Sequence, residues 1–470
     1  MTILQQQLFQ QLRSKTLFSK AQNYALAYLD DVQQQRVFPS EQSLASLSIF
    51  DEALPNETMD PDTILDMLHQ VGSKATVAQN AGRYFGFVNG GALPITMAVS
   101  WLSSVWDQNA ALYVMSPIAA KLEQVCETWL VQLLGLPQHC VAGFVSGTST
   151  ATFCGLAAAR HKQLQKHNWN VNIQGLFGAP KLRLILGKQT HGTVVKAAAL
   201  LGIGQQNIEW VDCDDQGRMH VDSLPELDES CIVVLQACNV NSGAFDDFLQ
   251  ICGKAKQGGA WVHIDGAFGL WAAAASRFSD LCNGIELADS WSVDAHKTLN
   301  TPYDCGVILC QDAEALSEAL QQKGSYIQHS EQRDSSVYTP EMSRRARGVE
   351  LWSALKYLGK TGIASLVEQL HDHAQYFACK LREHNFNILN EVVFNQVIIC
   401  CDTNNLTQTT LKNIQASGEC WCGGSVWFER HVIRISVCSW HTTSADIDRT
   451  IAVFVQARDH AISSVTQSDE

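Results

Sequence analysis

The chain is poor in charge, short of basic residues and without a long apolar run. Charged residues make up 17% of its 470 positions, and Lys and Arg number 33 against 47 Asp and Glu. The net charge of −14 argues against a nucleic-acid partner, whose phosphates need a basic footprint, and against an anionic membrane surface. No stretch reaches the roughly 18 uninterrupted apolar residues that a membrane-spanning helix needs. Paired C-x-x-C motifs are missing as well. The 16 cysteines are scattered through apolar runs, as at Cys231 and Cys310, and Cys420-Trp421-Cys422 is the only C-x-C pair. That pattern offers no metal site and suggests buried free thiols in a reducing compartment instead of a disulfide framework. The glutamine-rich stretch Met1 to Lys20 lacks the basic–apolar–small order of a signal peptide, so a cytoplasmic location is expected.

What is present is an ordinary core-forming composition, 46% hydrophobic, with no internal repeat or low-complexity tract. Residues 1–80 show helical spacing (Leu8, Leu12, Leu17, then Ala25, Leu26, Leu29) broken by Pro39, Pro55 and Pro61, and read as a helical arm. Residues 81–345 alternate short β-type runs with helical stretches. The runs are Leu182 to Leu186, Cys231 to Leu235, Trp261 to Ile264, Trp291 to Val293 and Val307 to Leu309; helices are expected over Ser116 to Leu134 and Thr193 to Leu201. Near-continuous apolar strands alternating with helices predict an α/β fold around a mostly parallel, buried sheet. Residues 346–470 begin with a helix, Arg347 to Leu358, and carry strands near Val397 to Ile399 and Val432 to Val437. They read as a smaller α+β domain.

Two of the β-type runs deliver reactive groups. Trp261 to Ile264 leads into Asp265, and Ser290 to Val293 into Asp294-Ala295-His296-Lys297. About thirty residues separate Asp265 from Lys297, room for one β-α-β crossover, and that would put both at carboxyl ends of neighbouring strands, where open α/β sheets bind ligands. A lysine that traps an aldehyde, facing a carboxylate that pairs with a pyridine nitrogen, is the pair that pyridoxal 5'-phosphate requires. Small neighbours, Gly266 and Ala267, would let a flat ring approach. A cup for the phosphate is offered by Ser146-Gly147-Thr148-Ser149-Thr150, a small-residue turn between the apolar Val141 to Val145 and a helical stretch. His191 and Asn239 each follow a strand. His191 could lie flat on the ring or simply cap a helix; Asn239 could contact cofactor or substrate, or belong to a turn.

These residues resemble the group II pyridoxal-phosphate decarboxylases of the fold-type-I, aspartate aminotransferase-like superfamily. The resemblance runs over nearly the whole chain, through Arg83-Tyr84-Phe85-Gly86-Phe87, Ser146-Gly147-Thr148, Gln189-Thr190-His191, His263-Ile264-Asp265-Gly266-Ala267, Asp294-Ala295-His296-Lys297 and Ser343-Arg344-Arg345-Ala346-Arg347. It implies Lys297 as the Schiff-base lysine, Asp265 at the pyridinium, His191 on the ring, Thr148 and Ser149 at the phosphate with His296 beside it, and Asp294 at a position often occupied by asparagine. It further implies that Tyr326, at the start of a polar loop, returns a proton to the substrate carbon after carbon dioxide leaves; Tyr338 is a second candidate. Three positions depart from the family pattern: Gly147-Thr148-Ser149 in place of Gly-Gly-Thr, Thr298 after the lysine, and Asn239 for threonine.

The expected activity is α-decarboxylation of an L-amino acid to an amine. Aromatic residues in Tyr84 to Gly91, with Trp101 and Trp106, lean the substrate toward a flat apolar side chain, with Phe85, Phe87, Asn89 and Trp106 as pocket candidates. Acidic substrates (glutamate, aspartate or cysteine sulfinate) compete with that reading. An aminotransferase shares Lys297 and Asp265 and would need an arginine for the carboxylate, for which Arg434 is a candidate. Decarboxylation coupled to oxidative deamination is a further rival, and a non-catalytic cofactor binder is disfavoured because the catalytic groups are all present. The resemblance also implies a homodimer with the N-terminal arm against the partner.

Overall fold

The computed structural model describes residues 1–320 and 332–466. Its strands, in chain order, are β1 (Tyr84–Phe85), β2 (Val141–Val145), β3 (Arg183–Gly187), β4 (Ile208–Val211), β5 (Cys231–Gln236), β6 (Trp261–Asp265), β7 (Ser290–Asp294), β8 (Gly306–Cys310), β9 (Asn387–Ile388), β10 (Gln396–Cys400), β11 (Trp421–Trp427) and β12 (Arg430–Ser436). Seven of them, β2 to β8, form one sheet in the order β2-β8-β7-β6-β5-β3-β4.

Within that sheet only β8 runs against its neighbours. The reason is chain length. A parallel return from β7 would need a crossover of about a dozen residues or more, and residues 295–305 form a direct loop instead. Strands β5 to β8 are buried along their whole length, which explains the apolar runs of β5 and β8 and leaves the polar residues of β6 and β7 enclosed. One face packs on the helix Thr148–Lys166 through Ala151, Cys154 and Ala158 against Leu184, Val234 and Ile308. The other packs Ile185, Val233, Ile264 and Leu309 against Cys126 and Leu130 of the helix Pro117–Leu133 and Leu351 of the helix Gly348–Glu383. The α/β architecture with a mostly parallel sheet is therefore as the sequence implies.

The smaller sheet has the order β1-β11-β12-β10-β9. Its apolar side carries Ile399, Cys422, Ile433 and Ile435 against Phe377, Ile414 and Phe454 of three helices. β1 belongs here: Tyr84 and Phe85 pair in parallel with Trp421 and Cys422. The helix expected to end at Leu358 does stop being regular there, because Gly359 adopts φ +59° within the longer Gly348–Glu383. A buried ion pair, Arg344 to both carboxylate oxygens of Glu123 at 2.8 Å, ties the start of the C-terminal region to the helix Pro117–Leu133, and Arg344 also donates to the Phe144 carbonyl on β2.

Candidate active site

The carboxyl ends of β2, β5, β6 and β7 open onto a cavity of about 410 Å³ lined by Thr148, Ser149, His191, Asp265, Ala267, Asp294, His296 and Lys297 among others. It lies at the strand ends, as parallel sheets require. The pairing of Asp265 with Ser292 across β6 and β7 brings the end of one strand beside the loop that begins after the other.

Asp265 is 6% exposed and accepts from the Ala267 amide at 3.3 Å. Burial pushes its carboxyl above the usual range, while His191 and Lys297 pull it back. His191 caps the helix Gly192–Leu200: its Nδ1 lies 2.7 Å from Thr193 Oγ1 and accepts from the Thr193 amide. It is an exposed residue at the cavity wall, and partial desolvation by the protein around it lowers its pKa against the opposing field of Asp265. His191 thus caps its helix and lines the cavity.

Lys297 Nζ lies 3.1 Å from Asp294 Oδ2 and 5.9 Å from the centroid of the Phe268 ring. The same carboxylate is clamped by the start of the helix Thr148–Lys166. Thr148 donates its amide to Oδ1 at 2.7 Å and its hydroxyl to Oδ2 at 2.9 Å. His296 accepts from the Cys305 amide through Nδ1, which leaves Nε2 as its N–H, 3.6 Å from Asp294 Oδ2. Burial lowers the His296 pKa, and its ring rests on Tyr303 at 4.3 Å. Asn300 fixes the loop. Its amide donates to the carbonyls of Lys297, Thr298 and Cys438, and its carbonyl accepts from Gly91 and Trp440.

Other expected site residues lie elsewhere. Asn239 is absent from the cavity wall because its side chain closes a turn, donating to the Gln189 carbonyl and accepting from the Asn241 and Ser242 amides. Gln236 and Cys238 line the wall beside it. Phe85 is core, 1% exposed and edge-on to Phe377 at 5.1 Å. Phe87 stacks on Trp421, Trp106 sits on the outside of the helix Pro94–Trp106, and Asn89 bridges Gln79 and the Tyr303 hydroxyl. None of these four lines the cavity. Tyr326 lies outside the described residues. Tyr303, Phe268 and Val240, which do line it, follow strand ends in the same way as Lys297 and His191. That position was their available signal.

Comparison with known proteins gives a family and a fold. Residues 44–401 match the pyridoxal-dependent decarboxylase conserved domain. An aromatic-L-amino-acid decarboxylase of Rattus norvegicus is 25% identical over 452 residues, covering 90% of this chain and 93% of the relative. Among solved structures, Oryza sativa TDC with PLP and tryptamine superposes with a TM-score of 0.88 at 20% identity, covering 96% of this chain and 98% of that one. Mouse CSAD in apo form superposes with a TM-score of 0.86 at 19% identity, over 95% and 99% of the two chains. No helix among the described residues is long and apolar enough to cross a membrane. By the extent of that domain match, the chain belongs to the pyridoxal-dependent decarboxylases: it is a carboxy-lyase that acts on an amino acid with pyridoxal phosphate as cofactor.

Proposed function

We propose that the cavity at the strand ends holds pyridoxal phosphate, with Lys297 as its covalent anchor, and that the enzyme releases carbon dioxide from an L-amino acid to leave an amine. The observation that carries this reading is the convergence of Lys297, Asp265 and the Thr148–Ser149 turn on one cavity from three different strands. The residues fit the group. Asp265 is a buried carboxylate with one amide donor, free to accept a proton-bearing nitrogen. Thr148 and Ser149 begin a 19-residue helix, whose positive dipole end suits a phosphate. Gly147 keeps that turn open: a Cβ there would lie 3.3 Å from the His296 ring.

When bound, the cofactor supplies an electron sink for the pair left by the departing carboxylate. The protein does the rest. Asp265 would hold a proton on the ring nitrogen, His191 and Ala267 would confine the ring, and Thr148, Ser149 and His296 would hold the phosphate. By motif position Tyr326 donates the proton that the substrate carbon takes up.

The substrate reading is an aromatic amino acid. It is supported by the apolar and aromatic wall (Val240, Phe268, Tyr303) and by the printed activity of the rat relative. A second reading, an acidic substrate, rests on Arg434, which lies on β12 outside the cavity wall. Its guanidinium has no ion pair among the described residues, its Nε is buried without a partner, and its field reaches His191. We also assign a homodimer, because the helix Ile3–Ser14 buries no residue against its own chain and sets Leu4, Leu8 and Leu12 in an exposed row. The chain then has three parts, an N-terminal helical arm to residue 80, a cofactor domain to residue 345 and a smaller C-terminal domain to whose sheet the second part lends β1.

Borohydride reduction of the cofactor-loaded enzyme should fix the cofactor's mass on the peptide containing Lys297, and Lys297→Ala should carry none. A screen of carbon dioxide and amine release over aromatic and acidic L-amino acids then names the substrate. Attachment at another lysine, or aldehyde and peroxide in place of the amine, would overturn the reading.

A further inference from the structure

The phosphate cup already contains an anion, supplied by the chain itself. Asp294 is 1% exposed at the end of β7, and its two carboxylate oxygens take the first amide and the hydroxyl of the cup residue Thr148. The same group takes Lys297 at 3.1 Å, and His296 Nε2 lies 3.6 Å away. Nothing about the fold demands that these donors point at a carboxylate. Gly306 lets the turn and the carboxylate sit this close, since a Cβ there would overlap the Gly147 backbone and come within 2.9 Å of Asp294 Oδ1. The Thr148 amide and hydroxyl and the Lys297 ammonium, three donors that could meet an incoming phosphate in this corner, are thus engaged by one internal charge.

We propose that Asp294 is a built-in competitor for the cofactor's phosphate: in the cofactor-free enzyme it occupies the Thr148 donors and tethers Lys297, and loading requires it to let both go. Two like charges a few ångströms apart in a partly desolvated corner repel by more than the donors they share can offset. Asp294 therefore sets how tightly and how fast the cofactor loads, as a positioning residue and not as a participant in bond breaking. The inference rests on the assignment of this cup to the phosphate.

The test uses cofactor-free full-length enzyme and three probes: inorganic phosphate, pyridoxal phosphate, and pyridoxal without its phosphate. In Asp294→Asn, which keeps the shape and removes the charge, inorganic phosphate and pyridoxal phosphate should bind about tenfold tighter or more. The advantage of pyridoxal phosphate over pyridoxal should widen by a similar factor. Phosphate binding that is unchanged or weaker in the variant overturns the competition while leaving the cup assignment intact. If pyridoxal and pyridoxal phosphate bind equally in both proteins, and phosphate binds neither, the cup assignment itself fails. A crystal structure of the wild-type enzyme soaked with inorganic phosphate gives an answer that does not depend on the variant folding. With phosphate in the cup, the 2.7 Å contact between the Thr148 amide and Asp294 should be gone; its persistence overturns the proposal.

Discussion

His263 sits in the middle of β6 with its ring fully enclosed. Ser290 Oγ accepts from the Trp261 indole at 3.0 Å and offers its own proton to His263 Nδ1 at 2.9 Å, while Nε2 finds no partner. Burial alone pulls the pKa of this imidazole from 6.5 down to about 3. The unfolded chain therefore binds a proton that the folded chain refuses between those two values. Stability from this group is intact above pH 6.5 and falls as the pH drops toward 3. Asp246 and Asp289, each raised by burial to about 6, act in the opposite sense, because the folded state takes up their protons first as the pH falls through 6. Replacing His263 with Gln should accordingly flatten the acid side of the curve: measured against the wild type by denaturant unfolding, the variant should lose less stability between pH 7 and pH 5. An equal slope in both proteins would show that the ring is protonated in the fold. At this scale the sequence was most legible where a residue ends a strand. Asp265, Lys297, His191 and Thr148 could all be placed from the run preceding them. It was least legible for Phe85 and Asn239, because a core aromatic and a pocket aromatic, or a turn amide and a ligand amide, have the same local neighbours and differ only in what folds over them.

The loop of residues 295–305 is the element on which the chemistry hangs, and it is held by packing as well as by Asn300. Gly90, in the segment between β1 and the helix Pro94–Trp106, lies against it so closely that a Cβ would overlap the Lys297 carbonyl oxygen and come within 3.1 Å of the His296 carbonyl. Backbone cannot rotate out of the way as a flexible side chain can. Gly90→Ala should therefore push the loop outward, costing about 1–3 kcal/mol as overpacking does and displacing Lys297 from the cavity. The expected result is a lower thermal midpoint together with loss of borohydride-fixed cofactor, read by mass spectrometry. Normal attachment in a protein of unchanged stability would refute the contact. Strands with apolar runs, β3, β5, β6, β7, β8, β10 and β12, were readable because their burial demands that composition. The strand β11, Trp421–Trp427, was not: two glycines break its pattern and its exposed positions alternate irregularly. The two-residue strands β1 and β9 are pairings that only the assembled sheet creates. The reversal of β8 could be inferred only from the shortness of the loop before it.

At the scale of the whole molecule, the unresolved demand is a large apolar surface that one chain leaves uncovered. The helix Ile3–Ser14 has 12 residues and an N-terminal capping box between Thr2 and Gln5, yet none of its residues is buried, and Leu4, Leu8 and Leu12 lie in a row with Leu12 58% exposed. Isolated helices of this length are marginal in water, so a cap does not keep one folded without a surface to cover. The helix Pro94–Trp106 shows Trp101, Leu102 and Trp106 to solvent as well, with Val105 77% exposed. Exposed apolar area of this extent marks an interaction surface. Because symmetric dimers are the commonest assembly of soluble chains, a second copy is the expected cover. Val105 is the position to test. It touches little in its own chain, so a charge there should cost the single chain no more than about 0.5 kcal/mol, whereas the same charge enclosed between two copies would be desolvated without a partner. Sedimentation should show the wild type at twice the chain mass and Val105→Glu as a monomer at the same concentration, with residues 1–31 newly open to proteolysis. A wild-type chain that sediments as a monomer would leave the helix Ile3–Ser14 and the outer side of Pro94–Trp106 uncovered, and would overturn the assignment.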